Sequence, residues 1–293
     1  MKQKIDSYWA DQLYPINIIE AGDRKFSYRE AGSQDQGTPV VAVLHGIGSG
    51  SGSWVRTLSH FKGSYRVLAW DAPGYNFSSF LPEDNPGALG YARALNEFLS
   101  TLDVDPKIVI GHSLGAMIAG AYAAEVNLNL PGLILADPAN GYGHETPKVR
   151  HERLSARLGL LHEFGVDGMA EKRSANLLSS SAAVEALELV KWNMRKVTIR
   201  GYEQASKTLS EGNLSEKASK YRGRVLVLCG GDDHVTPVAA CRNVAQAYSN
   251  APFEILPNLG HASYVEGPAL FNKAVETFLE LADAWHRETK QDL

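Results

Sequence analysis

The sequence predicts an α/β fold, a mostly parallel β-sheet with helices on both faces that is interrupted by a helical insert. Short apolar runs alternate with amphipathic segments in both halves of the chain, and this alternation is typical of parallel strands joined by crossover helices. Between the two halves, residues 139–222 show no convincing strand pattern. We therefore expect a core built from residues 1–138 and 223–293, and a helical cap at residues 139–222.

The predicted core strands are apolar runs, as expected of strands that are buried on both faces. A β-hairpin with its turn at Gly22-Asp23 precedes them. The strands that follow are residues 40–44, 66–70, 107–110, 133–136, 224–229 and 253–256, and the core helices are residues 88–102, 114–125, 238–248 and a last helix from Pro268. Within the insert, we expect helices that are broken at Gly141, Gly143, Gly168, the serine run 179–181 and Gly201.

Composition narrows the classes of function. The chain has 293 residues, 44% of them hydrophobic, and a net charge of −4. It can therefore bury a large core, and it shows no basic excess for nucleic acid or an anionic membrane. No apolar run reaches the ~18 residues of a membrane span, and residues 1–15 lack the apolar segment of a secretory signal. With only Cys229 and Cys241 as cysteines, we expect a cytoplasmic protein without a disulfide framework.

A candidate nucleophile lies in Gly111-His112-Ser113-Leu114-Gly115, which matches the pattern Gly-x-Ser-x-Gly. A predicted strand precedes the pattern and an alanine-rich predicted helix follows it, which is the context of a nucleophilic serine. Such a turn projects the hydroxyl above the sheet, and its glycines allow a close approach of the chain. The sequence therefore predicts Ser113 as the nucleophile, aided by the positive N-terminus of the next helix.

A serine hydroxyl needs a base that removes its proton. Of the nine histidines, His261 follows the last predicted strand, in a loop from which a base can reach Ser113. Asp233 follows the preceding strand and is the predicted acid, and the order Ser…Asp…His is expected of this arrangement. A carboxylate there holds the imidazole tautomer and stabilises the imidazolium. Asp137, at the end of an earlier strand, is the alternative acid.

A glycine-rich loop follows the strand 40–44, with the sequence His45-Gly46-Ile47-Gly48-Ser49-Gly50. Attack on a carbonyl group puts negative charge on its oxygen, and main-chain N–H groups can stabilise that charge by about 3 kcal/mol per donor. We expect the two donors of this oxyanion hole to be the N–H groups of Ile47 and Leu114.

Taken together, these motifs resemble the α/β-hydrolase superfamily over nearly the whole chain. The matching residues are His45-Gly46-Ile47-Gly48, Asp71-Ala72-Pro73-Gly74, Gly111 to Gly115, Gly230-Gly231-Asp232-Asp233 with Thr236-Pro237, and Gly260-His261 with Glu266 and Pro268. The resemblance implies an eight-stranded core sheet, a cap domain, and no cofactor or metal. Dehalogenases and epoxide hydrolases resemble the chain too, but they use an aspartate where this chain has Ser113.

One branch of the superfamily resembles the first half of the chain. Residues 71–76, and the spacing between residues 45 and 54, are similar to the carbon–carbon hydrolases that act on the meta-cleavage products of aromatic rings. The resemblance also shows three departures. Those enzymes carry an asparagine where this chain has Arg56, a tryptophan where it has Ala262, and a cap arginine near Val190.

The second half of the chain resembles the 3-oxoadipate enol-lactonases, at Gly201-Tyr202, residues 233–237 and residues 261–268. This resemblance implies a serine hydrolase that cleaves a small carboxylic ester or lactone through an acyl-enzyme, which is the main function we predict. Hydrolysis of a C–C bond in a vinylogous diketone acid is the alternative. A small-molecule receptor without turnover is the alternative from another class.

We expect the insert to select the substrate. It contains 14 Lys and Arg against 10 Asp and Glu, a net charge of +4, whereas the rest of the chain carries −8. A cationic cap attracts anions, so we expect a small anionic substrate, bound by a monomer or a homodimer. The candidate cationic contacts are Arg173, Lys191, Arg195 and Arg200. The predicted pocket residues are Trp54, Arg173, Trp192 and Ala262.

Overall fold

A computed structural model describes residues 9–289, with side chains up to residue 281. Its eight-stranded sheet has the order β1-β2-β4-β3-β5-β6-β7-β8. The pairs β1/β2 and β2/β4 are antiparallel, and all other neighbours are parallel. This confirms the predicted hairpin and the mostly parallel sheet. The strands are β1 Asn17–Ala21, β2 Arg24–Ala31, β3 Val40–Leu44, β4 Arg66–Trp70, β5 Pro106–His112, β6 Gly132–Ala136, β7 Arg224–Gly230 and β8 Phe253–Leu256.

Helices cover the sheet, as predicted. Helices α2 and α10 pack against each other, and so do α3 and α4. The helices are α1 Trp9–Leu13, α2 Val55–Phe61, α3 Gly87–Thr101, α4 Leu114–Glu125, α5 Pro147–Arg173, α6 Val184–Met194, α7 Ile199–Glu211, α8 Val238–Ala247, α9 Ser263–Glu266 and α10 Pro268–Thr289. Three 3₁₀ helices, Ser51–Trp54, Ser174–Leu177 and Ser215–Lys220, complete the described elements.

The strands at the centre of the sheet explain the apolar runs of the sequence. β3 and β6 are buried along their whole length, because neighbouring strands and helices cover both of their faces. Helix α4 is buried too, from Leu114 to Ala124, and its small residues let it lie close to the sheet. The parallel strands β3, β5, β6, β7 and β8 all end at one edge, so the loops that follow them come together there.

The insert between β6 and β7 contains α5, α6 and α7 and no named strand among its described residues. Two predicted breaks are wrong, because Gly168 lies inside α5 and Gly201 inside α7. Instead α5 is interrupted at Gly165, with φ 64° and ψ −174°. A glycine within a helix costs only about 1 kcal/mol, so the residue type alone does not mark a helix end.

The insert is fastened to the loop after β4. Val197 forms an isolated β-bridge with Tyr75, and the Thr198 hydroxyl donates to the Gly74 carbonyl oxygen at 2.6 Å. The last part of the insert, the 3₁₀ helix Ser215–Lys220, packs against α4 and α8, and so lies on the core.

No helix among residues 9–289 is both long and apolar enough to cross a membrane. The prediction that residues 1–15 carry no signal segment falls partly outside the described residues. The outer bounds predicted for the core, at residues 1 and 293, lie outside them as well.

Candidate active site

Ser113 lies at the sharp turn between β5 and α4, with φ 54° and ψ −114°. Positive φ is strained for a residue with a side chain, so close packing must hold the turn. A Cβ on Gly111 would lie 2.2 Å from the Gly115 carbonyl oxygen, and a Cβ on Gly115 would lie 2.4 Å from the Leu44 carbonyl oxygen. Both glycines are therefore required by the close approach of β3, β5 and α4 around the serine.

Three residues predicted from separate parts of the sequence form one hydrogen-bonded chain. His261 Nε2 lies 3.0 Å from Ser113 Oγ, and His261 Nδ1 lies 2.8 Å from Asp233 Oδ2. The loops after β5, β7 and β8 carry the three side chains, all of which are buried. At these distances Ser113 can pass its proton to His261, while Asp233 orients the imidazole.

Asp233 is held as a carboxylate by donors of its own loop. Its Oδ1 accepts the N–H groups of Val235 at 2.7 Å and Thr236 at 2.9 Å, and its Oδ2 accepts the Thr236 hydroxyl at 2.6 Å. Burial raises the pKa of Asp233, but the hydrogen bonds and charge of His261, together with those from Thr236, outweigh it and hold that pKa below its ordinary value. The sequence analysis named Thr236 only as part of a motif and gave it no role. Its position three residues after Asp233 could have indicated that it donates to this carboxylate.

The alternative acid, Asp137, makes its hydrogen bonds elsewhere. Its Oδ1 accepts the Gly230 N–H at 2.7 Å, and its Oδ2 accepts the Ser263 hydroxyl at 2.6 Å. Complete burial raises the pKa of Asp137 to about 7, so this carboxyl is partly protonated near neutral pH. The geometry therefore favours Asp233 as the partner of the imidazole.

The glycine-rich loop after β3 is fixed by His45. The imidazole donates from Nδ1 to the Gly46 carbonyl oxygen at 2.8 Å and accepts a main-chain N–H at Nε2 at 3.0 Å. Because the described peptides are trans, the N–H of Ile47 points away from that carbonyl. A Cβ on Gly46 would lie 3.2 Å from Ser113 Cβ. The Gly46–Ile47 peptide therefore lies directly beside the serine.

Leu114 is the first residue of α4, and the first N–H groups of a helix have no partner within it. The main-chain N–H of Leu114 immediately follows the serine, so it lies within the same turn. The two predicted oxyanion donors, the N–H groups of Ile47 and Leu114, therefore both lie close to Ser113.

A cavity of about 290 Å³ lies between this hydrogen-bonded chain and the insert. Its volume is near the lower end of the range for small-molecule sites. The side chains of Ser113 and His261 face it, together with Ile47. Most of its walls are apolar, from Leu177, Val190, Met194, Leu209, Val244 and Val265, and its polar lining includes Asn140, His144, Glu145, Arg157, Arg173 and Asn243.

Arg173 and Ala262 line the cavity, whereas the expectation that Trp54 does so is wrong. Its side chain is completely buried, and its ring stacks on Tyr264 with centroids 4.0 Å apart. Tyr264 is the residue that faces the cavity. Trp54 therefore supports the wall from behind, since its 3₁₀ helix turns the indole into the core.

The prediction for Trp192 is wrong as well. Its ring lies beneath the amine of Lys196, 3.4 Å from the centroid, and outside the cavity lining. Val190 and Met194, four residues apart on the same helix, do line the cavity. Because residues i and i+4 share a helix face, the residue midway between them points away.

Of the four candidate cations in the insert, only Arg173 lines the cavity. Lys191 and Arg195 both pair with Glu171. The fourth, Arg200, lies over an exposed phenylalanine ring. These three side chains are therefore engaged elsewhere and do not face the candidate substrate.

Arg157 also lines the cavity, although the sequence did not single it out. Arg157 and Arg173 are both half-buried. Among the described residues, no acidic side chain forms an ion pair with either guanidinium. The lining thus contains two cations without an ion-pair partner against one acidic residue, Glu145, and this excess of positive charge suits an anionic ligand. The net positive charge of the insert had predicted an anionic ligand, but it could not show which arginines or lysines line the cavity.

Among the described residues, one group has the composition of a metal site. Ligand atoms of Asp137, Cys229 and Asp233 all lie within 4.8 Å of one another. Both carboxylates, however, already accept N–H and O–H donors on each of their oxygens. The donor set therefore fits a hydrogen-bonding cluster that holds the acid loop.

The sequence matches the family described as alpha/beta hydrolase fold over residues 39–268. It is 26% identical to a 2-hydroxy-6-oxononadienedioate/2-hydroxy-6-oxononatrienedioate hydrolase of Comamonas testosteroni, over 82% of this chain and 87% of that protein. It is 24% identical to a 2-hydroxy-6-oxo-6-phenylhexa-2,4-dienoate hydrolase of the same species, over 90% of this chain and 94% of that protein.

The enol-lactonase of Burkholderia xenovorans LB400 has a similar fold. Its structure superposes with a TM-score of 0.79 at 20% identity, over 90% of this chain and all of that one. The eight-stranded sheet, the serine turn and the match over residues 39–268 agree on one assignment. The chain belongs to the alpha/beta hydrolase fold family.

Proposed function

We propose that the chain hydrolyses a small carboxylate-bearing molecule with Ser113 as nucleophile, His261 as base and Asp233 as the orienting acid. The observation that carries the proposal is the hydrogen-bonded chain of 3.0 and 2.8 Å that opens on the cavity. Ser113 Oγ attacks a carbonyl carbon as its proton passes to His261 Nε2. The N–H groups of Ile47 and Leu114 stabilise the oxyanion.

Arg157 and Arg173 support the anionic character of the substrate. Both residues line the cavity, and neither guanidinium has an acidic ion-pair partner among the described residues. Arginine binds a carboxylate through two parallel hydrogen bonds. The apolar walls between these cations and Ser113 suit a short hydrocarbon chain. The proposed substrate therefore presents its carbonyl to the serine and its carboxylate to the insert.

The relatives favour the C–C bond as the one that is cleaved. One of the two relatives described above is named as a hydrolase of a 2-hydroxy-6-oxo dienedioate or trienedioate, and the other as a hydrolase of a 2-hydroxy-6-oxo dienoate. In such a reaction the attacked carbonyl belongs to a ketone, and the leaving carbanion is stabilised by conjugation and protonated as it departs. We place this reaction first.

An ester or lactone is the second candidate, and the cavity wall favours it. Val190 and Ala262 line the cavity, where the resemblance to C–C hydrolases predicts an arginine and a tryptophan. Arg56, which replaces the asparagine of the C–C hydrolases, packs over the ring of Trp9 and lies outside the cavity lining. The alcohol of an ester leaves with the proton held by His261 and needs no such groups.

One assay separates the candidates. The protein is incubated with 2-hydroxy-6-oxo-6-phenylhexa-2,4-dienoate and, separately, with an aryl acetate and an enol-lactone that bears a carboxylate. Loss of the dienoate chromophore with kcat/KM at least 100-fold above the other two supports C–C hydrolysis. The reverse order supports the ester or lactone reaction. If the protein bound all three compounds without hydrolysing any of them, both reactions would be rejected in favour of a small-molecule receptor.

A further inference from the structure

The loop that carries His261 is fixed immediately before and after the histidine. Before it, the Gly260 N–H donates to Glu266 Oε2 at 2.8 Å. After it, the Ala262 N–H donates to the Leu177 carbonyl oxygen at 2.8 Å. Leu177 belongs to the insert and Glu266 to the short helix α9. The backbone of the candidate base is therefore held from both the insert and the core.

Glu266 also reaches the insert directly. Its Oε2 accepts the Ser179 N–H at 3.0 Å, and its Oε1 accepts the Ser179 hydroxyl. With the Gly260 N–H, three donors converge on one side chain. A carboxylate suits this position because it offers only acceptors, whereas an amide would turn an NH₂ group toward one of the donors.

The insert lies directly on this loop. We call residues Leu177, Leu178 and Ser179 the brace segment. A Cβ on Gly260 would lie 2.5 Å from the Leu178 carbonyl carbon and 2.6 Å from the Ser179 nitrogen. Such distances are too short for any side chain, so glycine is needed for the brace segment to pack on the loop.

The brace segment also lines a pocket beside the site. A second, more open pocket of about 980 Å³ is lined by all three of its residues. That pocket shares Arg173, Leu177 and Val235 with the cavity at Ser113. The same stretch of chain therefore lines this pocket and supports the loop of the base.

We propose that Glu266 is a positioning residue that keeps His261 in register with Ser113 by bonding the brace segment to the histidine loop. The inference rests on the proposed function for the role of His261 and adds the insert to the parts that orient it. A displacement of about 1 Å at a catalytic group can cost ~100-fold in rate. No residue that lines the cavity is substituted, so we expect kcat to change far more than KM.

The test compares Glu266→Gln with Glu276→Gln, a matched loss of one carboxylate on the exposed face of α10. We expect Glu266→Gln to lower kcat by ~10- to 100-fold with KM within about threefold of wild type. Glu276→Gln keeps both constants within about twofold. A kcat for Glu266→Gln within twofold of wild type, or a parallel loss in the control, would overturn the proposal.

A second readout does not need turnover. We expect the proton between His261 Nδ1 and Asp233 Oδ2 to give a downfield NMR resonance that reports the orientation of the ring. We expect it to broaden or shift in Glu266→Gln and to stay unchanged in Glu276→Gln. If the wild-type protein hydrolyses none of the candidate substrates, the proposed function fails, and this resonance still decides the role of Glu266. An unchanged resonance in Glu266→Gln would refute that role.

Ser179→Ala covers the case in which Glu266→Gln does not fold. It removes one of the three donors and keeps the Ser179 N–H, so thermal unfolding is expected near that of wild type. We expect a severalfold fall in kcat and a shifted resonance. If kcat and the resonance both stay at the wild-type values, the bridge between the insert and the base has no positioning role.

Discussion

The Ser263 hydroxyl donates to Asp137 Oδ2 at 2.6 Å, so the second carboxylate near the site is bound two residues beyond the candidate base. The imidazole of His261 bonds to Asp233 instead, at 2.8 Å. Both aspartates lie in loops that follow core strands, and both are buried. Their different partners give them different roles, because only a carboxylate on Nδ1 can fix the tautomer and stabilise the imidazolium.

Asp233→Asn is therefore expected to be far more damaging than Asp137→Asn. The asparagine amide at position 233 cannot stabilise the imidazolium and favours the wrong tautomer, at a cost of ~10⁴-fold in kcat. Asp137→Asn keeps the bond between His261 and Asp233. The measurement is kcat of the two variants on the preferred substrate, with thermal unfolding as a check of folding. A greater loss in Asp137→Asn would reassign the acid.

We expect the free energy of unfolding to depend on pH through the titration of Asp137. Burial raises its pKa from the ordinary 3.8 to about 7, so between those values the folded protein binds more protons than the unfolded chain. The contribution of this group to the free energy of unfolding is complete below pH ~4 and is lost as the pH rises through 7.

Urea unfolding of wild type and Asp137→Asn at pH 4 to 8 checks this linkage. Other groups titrate alike in the two proteins, so the difference between their free energies of unfolding isolates Asp137. We expect the variant to gain stability relative to wild type as the pH rises. A difference that stays constant over this range would show that the carboxyl is ionised throughout.

Ser113→Ala tests the nucleophile. We expect hydrolysis to fall by ~10⁴-fold or more, while the Tm stays close to that of wild type because only one buried hydroxyl is removed. A fluorophosphonate probe, which labels activated serines, should modify the wild-type protein and leave the variant unlabelled. Activity within tenfold of wild type would contradict the assignment of Ser113.

Arg157→Met and Arg173→Met test the anionic substrate. Each removes a cation that faces the cavity and keeps an unbranched apolar stem. We expect KM for a carboxylate substrate to rise about tenfold or more, since a charge-assisted hydrogen bond contributes ~1.5–3 kcal/mol. The matched control is Arg195→Met, because Arg195 is paired with Glu171 on the surface.

The same variants should respond differently to a neutral amide of the substrate. We expect its KM to change little, because the arginines bind the carboxylate rather than the hydrocarbon chain. Added salt should weaken the preference of the wild-type protein for the anion, as charges are screened over ~10 Å at 0.1 M. Equal effects on the anion and the amide would mean that Arg157 and Arg173 only shape the cavity.

The sequence by itself determined the features whose signals are local. Buried parallel strands leave continuous apolar runs, so the six core strands after the hairpin could be predicted within two residues of their ends. The turn at Ser113 needs glycines on both sides, and these two glycines appear in the sequence. The positions of His261 and Asp233 after the last two strands placed them at the same edge of the sheet, because parallel strands end together.

Only the tertiary structure decided which side chains meet across the chain. Trp54 lies behind Tyr264, Arg157 faces the cavity, and Glu266 bonds to Ser179 of the insert. These contacts join residues that are distant in sequence, and they depend on which face of each helix turns inward. Residue types alone do not fix that rotation, since a buried tryptophan and one that lines a pocket have the same local pattern. Among the described residues, a single isolated β-bridge, between Val197 and Tyr75, pairs the insert with the core. The contacts of the insert with the loop of His261 therefore follow from packing and hydrogen bonds rather than from a strand register.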